Sequence, residues 1–136
     1  MHRTVVAAAI VLAACGVDPE DDARPKTLEY VTEAILAPSC GNAQCHSSFR
    51  QSAHRAFDTI QRACEAMAPG MNDEGVLEVR DVIAGDANAS FLMTVMTRTI
   101  DRMPYDQPLP LVDLELIRKW IDGGAIGLPD TAEECK

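Results

Sequence analysis

Apolar side chains recur at helical spacing in four separate stretches of this 136-residue chain. In the first, Leu28, Val31 and Ile35 share one face of a helix predicted over residues 27–37. Thr27 is placed to cap it after Pro25, and Pro38 is expected to stop it. The second stretch, Phe57, Ile60, Cys64 and Met67, predicts a helix over residues 52–67, capped by Ser52 and ended by Pro69-Gly70. That register turns Cys64 inward. Residues 68–89 carry no sustained period and read as a long connection, with residues 76–79 and 82–83 as short extended pieces. A third, short helix starts near Ser90, with Leu92, Val95 and Met96 apolar and Met93 and Met96 read as core. Met103, Pro104 and Pro108 keep the following loop, residues 102–108, out of helix. The last helix is predicted over residues 110–122: Pro110 suits its first turn, Asp113 lies near the positive end of its dipole, and Gly123-Gly124 terminate it. Leu114, Ile117 and Ile121 share its apolar face, flanked by Trp120. The expected fold class is mostly α, about four short helices with long loops.

The N-terminus follows a different pattern. A short basic start is followed by an unbroken apolar run over residues 5–14, too short for an ordinary membrane-spanning helix and suited to a secretory signal. The run ends Leu12-Ala13-Ala14-Cys15, which resembles a bacterial lipobox with Cys15 as the lipidated residue; the alternative is an ordinary signal cleaved nearby, with Cys15 incidental. The expected organisation is a signal over residues 1–14, a flexible lipidated tether over 15–25, and one domain over 26–136. The protein is then exported, periplasm-facing and held to a membrane by its lipid. Gly16, where an aspartate would hint at inner-membrane retention, favours the outer membrane. A formal charge of −9 argues against nucleic acid and favours a basic or neutral protein partner, or serves solubility alone. Export also places the cysteines where disulfides form.

The most distinctive chemistry is Cys40-Gly41-Asn42-Ala43-Gln44-Cys45-His46. Two thiols followed at once by an imidazole suit covalent haem attachment: the cysteines add to the porphyrin vinyl groups and the histidine reaches the iron. The usual spacing is C-x-x-C-H, and this loop is two residues longer. The competing readings are a small disulfide loop beside a solvent histidine, and zinc. His54 lies eight residues after His46, outside the usual zinc-finger gap, and an exported chain disfavours bare thiolates. The chain has only three Phe, two Tyr and one Trp, so a porphyrin would add useful apolar mass to its core. No nucleophile elbow, phosphate loop or zinc-protease motif is present, and Gly123 to Gly127 follows a helix and not a strand.

Four segments in order, Pro38-Ser39-Cys40 to Cys45-His46, Gly85-Asp86 to Ser90, Arg102-Met103-Pro104 and Trp120-Ile121-Asp122-Gly123-Gly124-Ala125, resemble a small c-type cytochrome of the exported bacterial kind. The resemblance covers about residues 27–126. It implies a cytochrome c-like fold around one haem c, with thioether bonds from Cys40 and Cys45, His46 as proximal ligand and Met103 as distal ligand. Pro104 would stiffen the Met103 loop, and Trp120 and Ile117, with Leu114 and Ile121, would pack near the haem edge. Met67, Met71 and His54 are the alternative distal residues. Gly41 would give the longer cysteine loop freedom to bulge. With haem on Cys40 and Cys45, and Cys15 lipidated, Cys64 and Cys135 are left to pair. The implied role is single-electron transfer to a redox protein partner and not enzymatic turnover. The rival from another class is a haem-free lipoprotein whose two disulfides brace a helical binding or scaffolding module, and a haem-dependent enzyme ranks third.

Overall fold

The structure, a computed structural model, describes residues 19–70 and 81–135. The lipobox with Cys15, residues 76–79 and Met71 lie outside the described residues. Within them the chain is mostly helical and contains no strand. Helix α1 covers residues 28–39, α2 is Ile60–Met67, α3 is Phe91–Thr97 and α4 is Leu111–Asp122. No helix among the described residues is long and apolar enough to cross a membrane.

Thr27 caps α1: extended at φ −130° and ψ 155°, it accepts the Tyr30 N–H on its hydroxyl. The helix does not stop at Pro38. It is α-helical over Leu28–Val31, widens to π geometry over Thr32–Leu36, where Ala37 N–H donates to Thr32 five residues back, and closes with Ala37–Ser39. In an uninterrupted α-helix the proline ring would meet the carbonyl four residues back, and the wider turn relieves that clash. Pro38 is absorbed, and the helix delivers Cys40 directly at its C-terminus.

The second helix begins later than its periodicity implied. Gln51, Ala53 and His54 take left-handed conformations, with φ of 47°, 52° and 58°, so no right-handed helix can pass through them. Ser52 is therefore no cap. Thr59 is, accepting Arg62 N–H at 3.2 Å. Phe57, in register with the helix but not in it, is buried from the preceding loop. Ala68, extended ahead of Pro69, ends α2.

The segment Gly85-Asp86 to Ser90 forms a locked turn before α3. Gly85 supplies φ +84°, Asp86 accepts Ala89 N–H, and the fully buried Ser90 hydroxyl donates to Asp86 O at 2.8 Å while accepting Ile83 N–H at 2.9 Å. After α4, Gly124 and Ala125 both take positive φ and reverse the chain. The Ile126 carbonyl then receives both the Trp120 indole N–H at 3.0 Å and Leu28 N–H at 2.9 Å. That shared acceptor ties the end of α4 to the start of α1.

One core joins all four helices, with Val31, Leu36, Met67, Ile117, Trp120 and Ile121 fully buried. Cys64 on α2 and Cys135 beyond the 3₁₀ turn Ala132–Glu134 form a disulfide with Cα atoms 5.7 Å apart. Residues 19–25, expected within a flexible tether, are docked on α4 instead. Lys119 Nζ donates to Pro19 O at 2.7 Å, and Arg24 bridges Asp22 and Asp113. Those hydrogen bonds hold the Asp22 carboxyl down at about 2, with the Arg24 side chain the largest cause.

Candidate functional site

The Cys40 to His46 loop is built from hydrogen bonds that account for its extra length. Asn42 makes a side-chain turn, its Oδ1 accepting Gln44 N–H at 3.1 Å and its carbonyl accepting Cys45 N–H at 3.1 Å. His46 N–H returns to the Cys40 carbonyl at 3.0 Å and closes the loop. Gly41 serves a different need from the expected freedom to bulge. Its φ is not left-handed, but a Cβ there would lie 2.9 Å from the Asp58 backbone and 2.8 Å from Ala37 O. The position needs an absent side chain because two pieces of main chain meet there.

The loop is anchored from below. Asp58 accepts Ser48 N–H at 2.6 Å and the Ser48 hydroxyl at 2.8 Å. Burial works to raise the Asp58 carboxyl, but these two bonds, with its own backbone N–H and the Arg62 charge, outweigh it and hold the group below the usual carboxylate range. His46 is buried, its ring edge-on to Phe57 with centroids 5.3 Å apart, and its carbonyl accepts Phe57 N–H at 2.7 Å. Its Nδ1 lies 3.3 Å from the Arg55 carbonyl. A carbonyl can only accept, so as a hydrogen bond this contact calls for the proton on Nδ1, which in the neutral ring leaves the Nε2 lone pair for a ligand.

A cavity of about 630 Å³ opens over this loop, within the range that holds small molecules and cofactors. Its lining includes Cys40, Cys45, His46 and Ala53 from the first loop and Met103, Pro104, Tyr105 and Asp106 from the second. A second compartment of about 400 Å³ is lined by Phe57, Phe91, Leu92 and Val95 and bordered by Arg98. His46, Ala53 and Met103 line both. The fold thus brings together Cys40, Cys45, His46 and Met103. It does not bring Trp120 or Ile117 to either compartment: both are in the core, with Trp120 committed to Ile126. Met67 is likewise buried in the core, and His54 is exposed on the left-handed turn.

Cys40 and Cys45 are free thiols. Burial, and then the neighbouring Cys45, push the Cys40 thiol up to about 11, which makes it a poor thiolate ligand at neutral pH. Among the described residues no group of three or more His, Cys, Asp or Glu converges on a metal-ion position. The donor set fits a haem c on different grounds: two unoxidised thiols, an imidazole with one nitrogen already satisfied, and a thioether line one cavity with an apolar annex. Arg102, next to Met103, keeps its Nε buried without a hydrogen-bond partner, but it lines neither compartment.

Sequence reasoning missed Arg55, Asp81 and the left-handed turn at Ala53. The buried Asp81 carboxylate pairs with the Arg55 guanidinium across 26 positions of chain, and no local signal marks such a pair. No family model, curated protein or solved structure matches the chain.

Proposed function

We propose that this protein is a c-type electron carrier with a cytochrome c-like fold, holding one haem c in the cavity between the Cys40 to His46 loop and the Met103 loop. The observation that carries the reading is the convergence of Met103 with Cys40, Cys45 and His46 on one cavity. Cys40 and Cys45 would hold the group by thioether bonds, and His46 Nε2 and the Met103 sulfur would hold its iron. A haem c so held supplies reversible one-electron chemistry at its iron, and a thioether ligand raises the potential at which it works.

The chain's own residues provide orientation and exclusion of water. The Arg55 carbonyl would hold the His46 proton on Nδ1, Phe57 packs against the His46 ring, and Pro104 restricts the loop that carries Met103. Leu92 and Val95 present an apolar wall to the second compartment. His46 and Met103 would together hold the iron, which suits electron transfer better than turnover of a substrate at the metal. An exported chain anchored through Cys15, on the outer membrane, would exchange electrons with a basic or neutral protein partner drawn by its net charge of −9.

The deciding measurement is a pyridine haemochrome spectrum together with intact mass on protein exported alongside a haem-attachment system. The expected result is one covalent haem per chain, with Met103→Ala lowering the midpoint potential and altering the reduced spectrum. A correctly exported protein that stays colourless overturns the proposal and leaves the haem-free, disulfide-braced module.

A further inference from the structure

We propose that Arg55 and Asp81 are a positioning pair for His46, fixing its ring through the Arg55 main chain; the functional consequence rests on the haem reading, the geometry does not. Asp81 is only 3% exposed and accepts two guanidinium N–H groups, from Arg55 Nε and, at 2.8 Å, from Nη2. Arg55 Nη1 donates to the Ala53 carbonyl at 2.9 Å, so the same side chain also pins the left-handed turn that lines the cavity. The guanidinium is thus held at both Asp81 and Ala53, on the residue whose carbonyl lies 3.3 Å from His46 Nδ1.

The clamp is linked to the Met103 loop through α3. The Asp81 carbonyl accepts Leu92 N–H at 2.9 Å in the first turn of that helix, and the Val95 carbonyl accepts Met103 N–H at 2.9 Å. One short helix therefore sets the place of both His46 and Met103.

The energetics favour positioning over stability as the role of the pair. Asp81 is buried while the Arg55 side chain stays 31% exposed, so the carboxylate's desolvation and the solvent screening of the guanidinium both reduce what the pair adds to stability. What it does supply is direction: a planar fork on a carboxylate admits one arrangement of the arginine and of the backbone behind it. An acceptor behind a ligating histidine fixes its tautomer, and losing such a partner lowers metal affinity by about ten- to a hundredfold.

The test uses the full chain as wild type and as the charge-free pair Arg55→Met/Asp81→Leu. Nitrogen NMR of the haem-free chain reports the His46 tautomer. The wild type is expected to carry its proton on Nδ1, and the charge-free pair, with its fold checked by circular dichroism, to show a mixture with the Nε2–H form. In haem-loaded protein the same variant is expected to shift the midpoint potential and to split the ferric electron-spin signal into two species. A wild-type proton on Nε2, or a variant that keeps both tautomer and potential, overturns the positioning role. A chain that shows the tautomer shift but never takes up haem sinks the haem reading and leaves the positioning pair standing. Arg55→Lys, which keeps the charge and loses the fork, supplies the same comparison if the charge-free pair does not fold.

Discussion

Removing the Cys64–Cys135 bond is the most quantitative challenge to this fold. The cross-link closes 71 positions of chain and joins the buried face of α2 to the C-terminal 3₁₀ turn. A loop of that length, opened in the unfolded ensemble, restores chain entropy equivalent to about 4 kcal/mol at 25 °C. Beyond the disulfide the turn is tied back by Ala132 N–H to Pro69 O at 3.0 Å and by Ala132 packing against the core, contacts that the double variant keeps. The double variant Cys64→Ala/Cys135→Ala leaves no half-pair and buries no hydroxyl, so the loss should reflect the missing bond. For a domain of this size about 4 kcal/mol corresponds to a fall in Tm of roughly 15 °C. Urea titration followed by circular dichroism gives a second signature: freeing the chain expands the unfolded state and raises the m-value, whereas loss of packing alone does not. A variant that melts within a few degrees of its parent at an unchanged m-value would refute the reasoning. So would an intact mass showing Cys64 and Cys135 reduced in the exported parent.

Two further outcomes follow from local features. The Asp22 carboxyl is held down at about 2 by the Arg24 side chain, so the docking of residues 19–25 should be intact above about pH 4 and lost as pH falls through about 2; pepsin cleavage near Arg24 that shows no such rise would contradict it. Ala53 is exposed with φ 52°, so Ala53→Gly should relieve left-handed strain worth slightly more than the added freedom of the unfolded chain, a net gain of about 0.5–1 kcal/mol in urea unfolding, and a loss of stability would mean that the turn relaxes in solution.

The parts of this protein legible in the sequence are those whose physics is complete within a turn or two. Thr27 and its bond to Tyr30, the pre-proline stop at Ala68, the run of α4 to Gly123 and the inward face of Cys64 each depend on neighbours three or four positions away, which a linear pattern displays. The Cys40 to His46 motif was legible for the same reason. Periodicity misled at Phe57, where an apolar residue in helical register belongs to a loop, because burial alone does not say which backbone conformation achieves it. Pro38 misled as well, since a proline ends a helix only if the turn before it cannot widen, and residues 32–36 widen.

The tertiary structure alone decided what the motif faces. Nothing near Cys40 says that Gly41 must admit the Asp58 backbone, that Arg55 must reach Asp81, or that Met103 must hang from Val95. Those are meetings between segments tens of residues apart, set by how four short helices share one core, and the chain carries no local mark of a partner that only folding brings within reach.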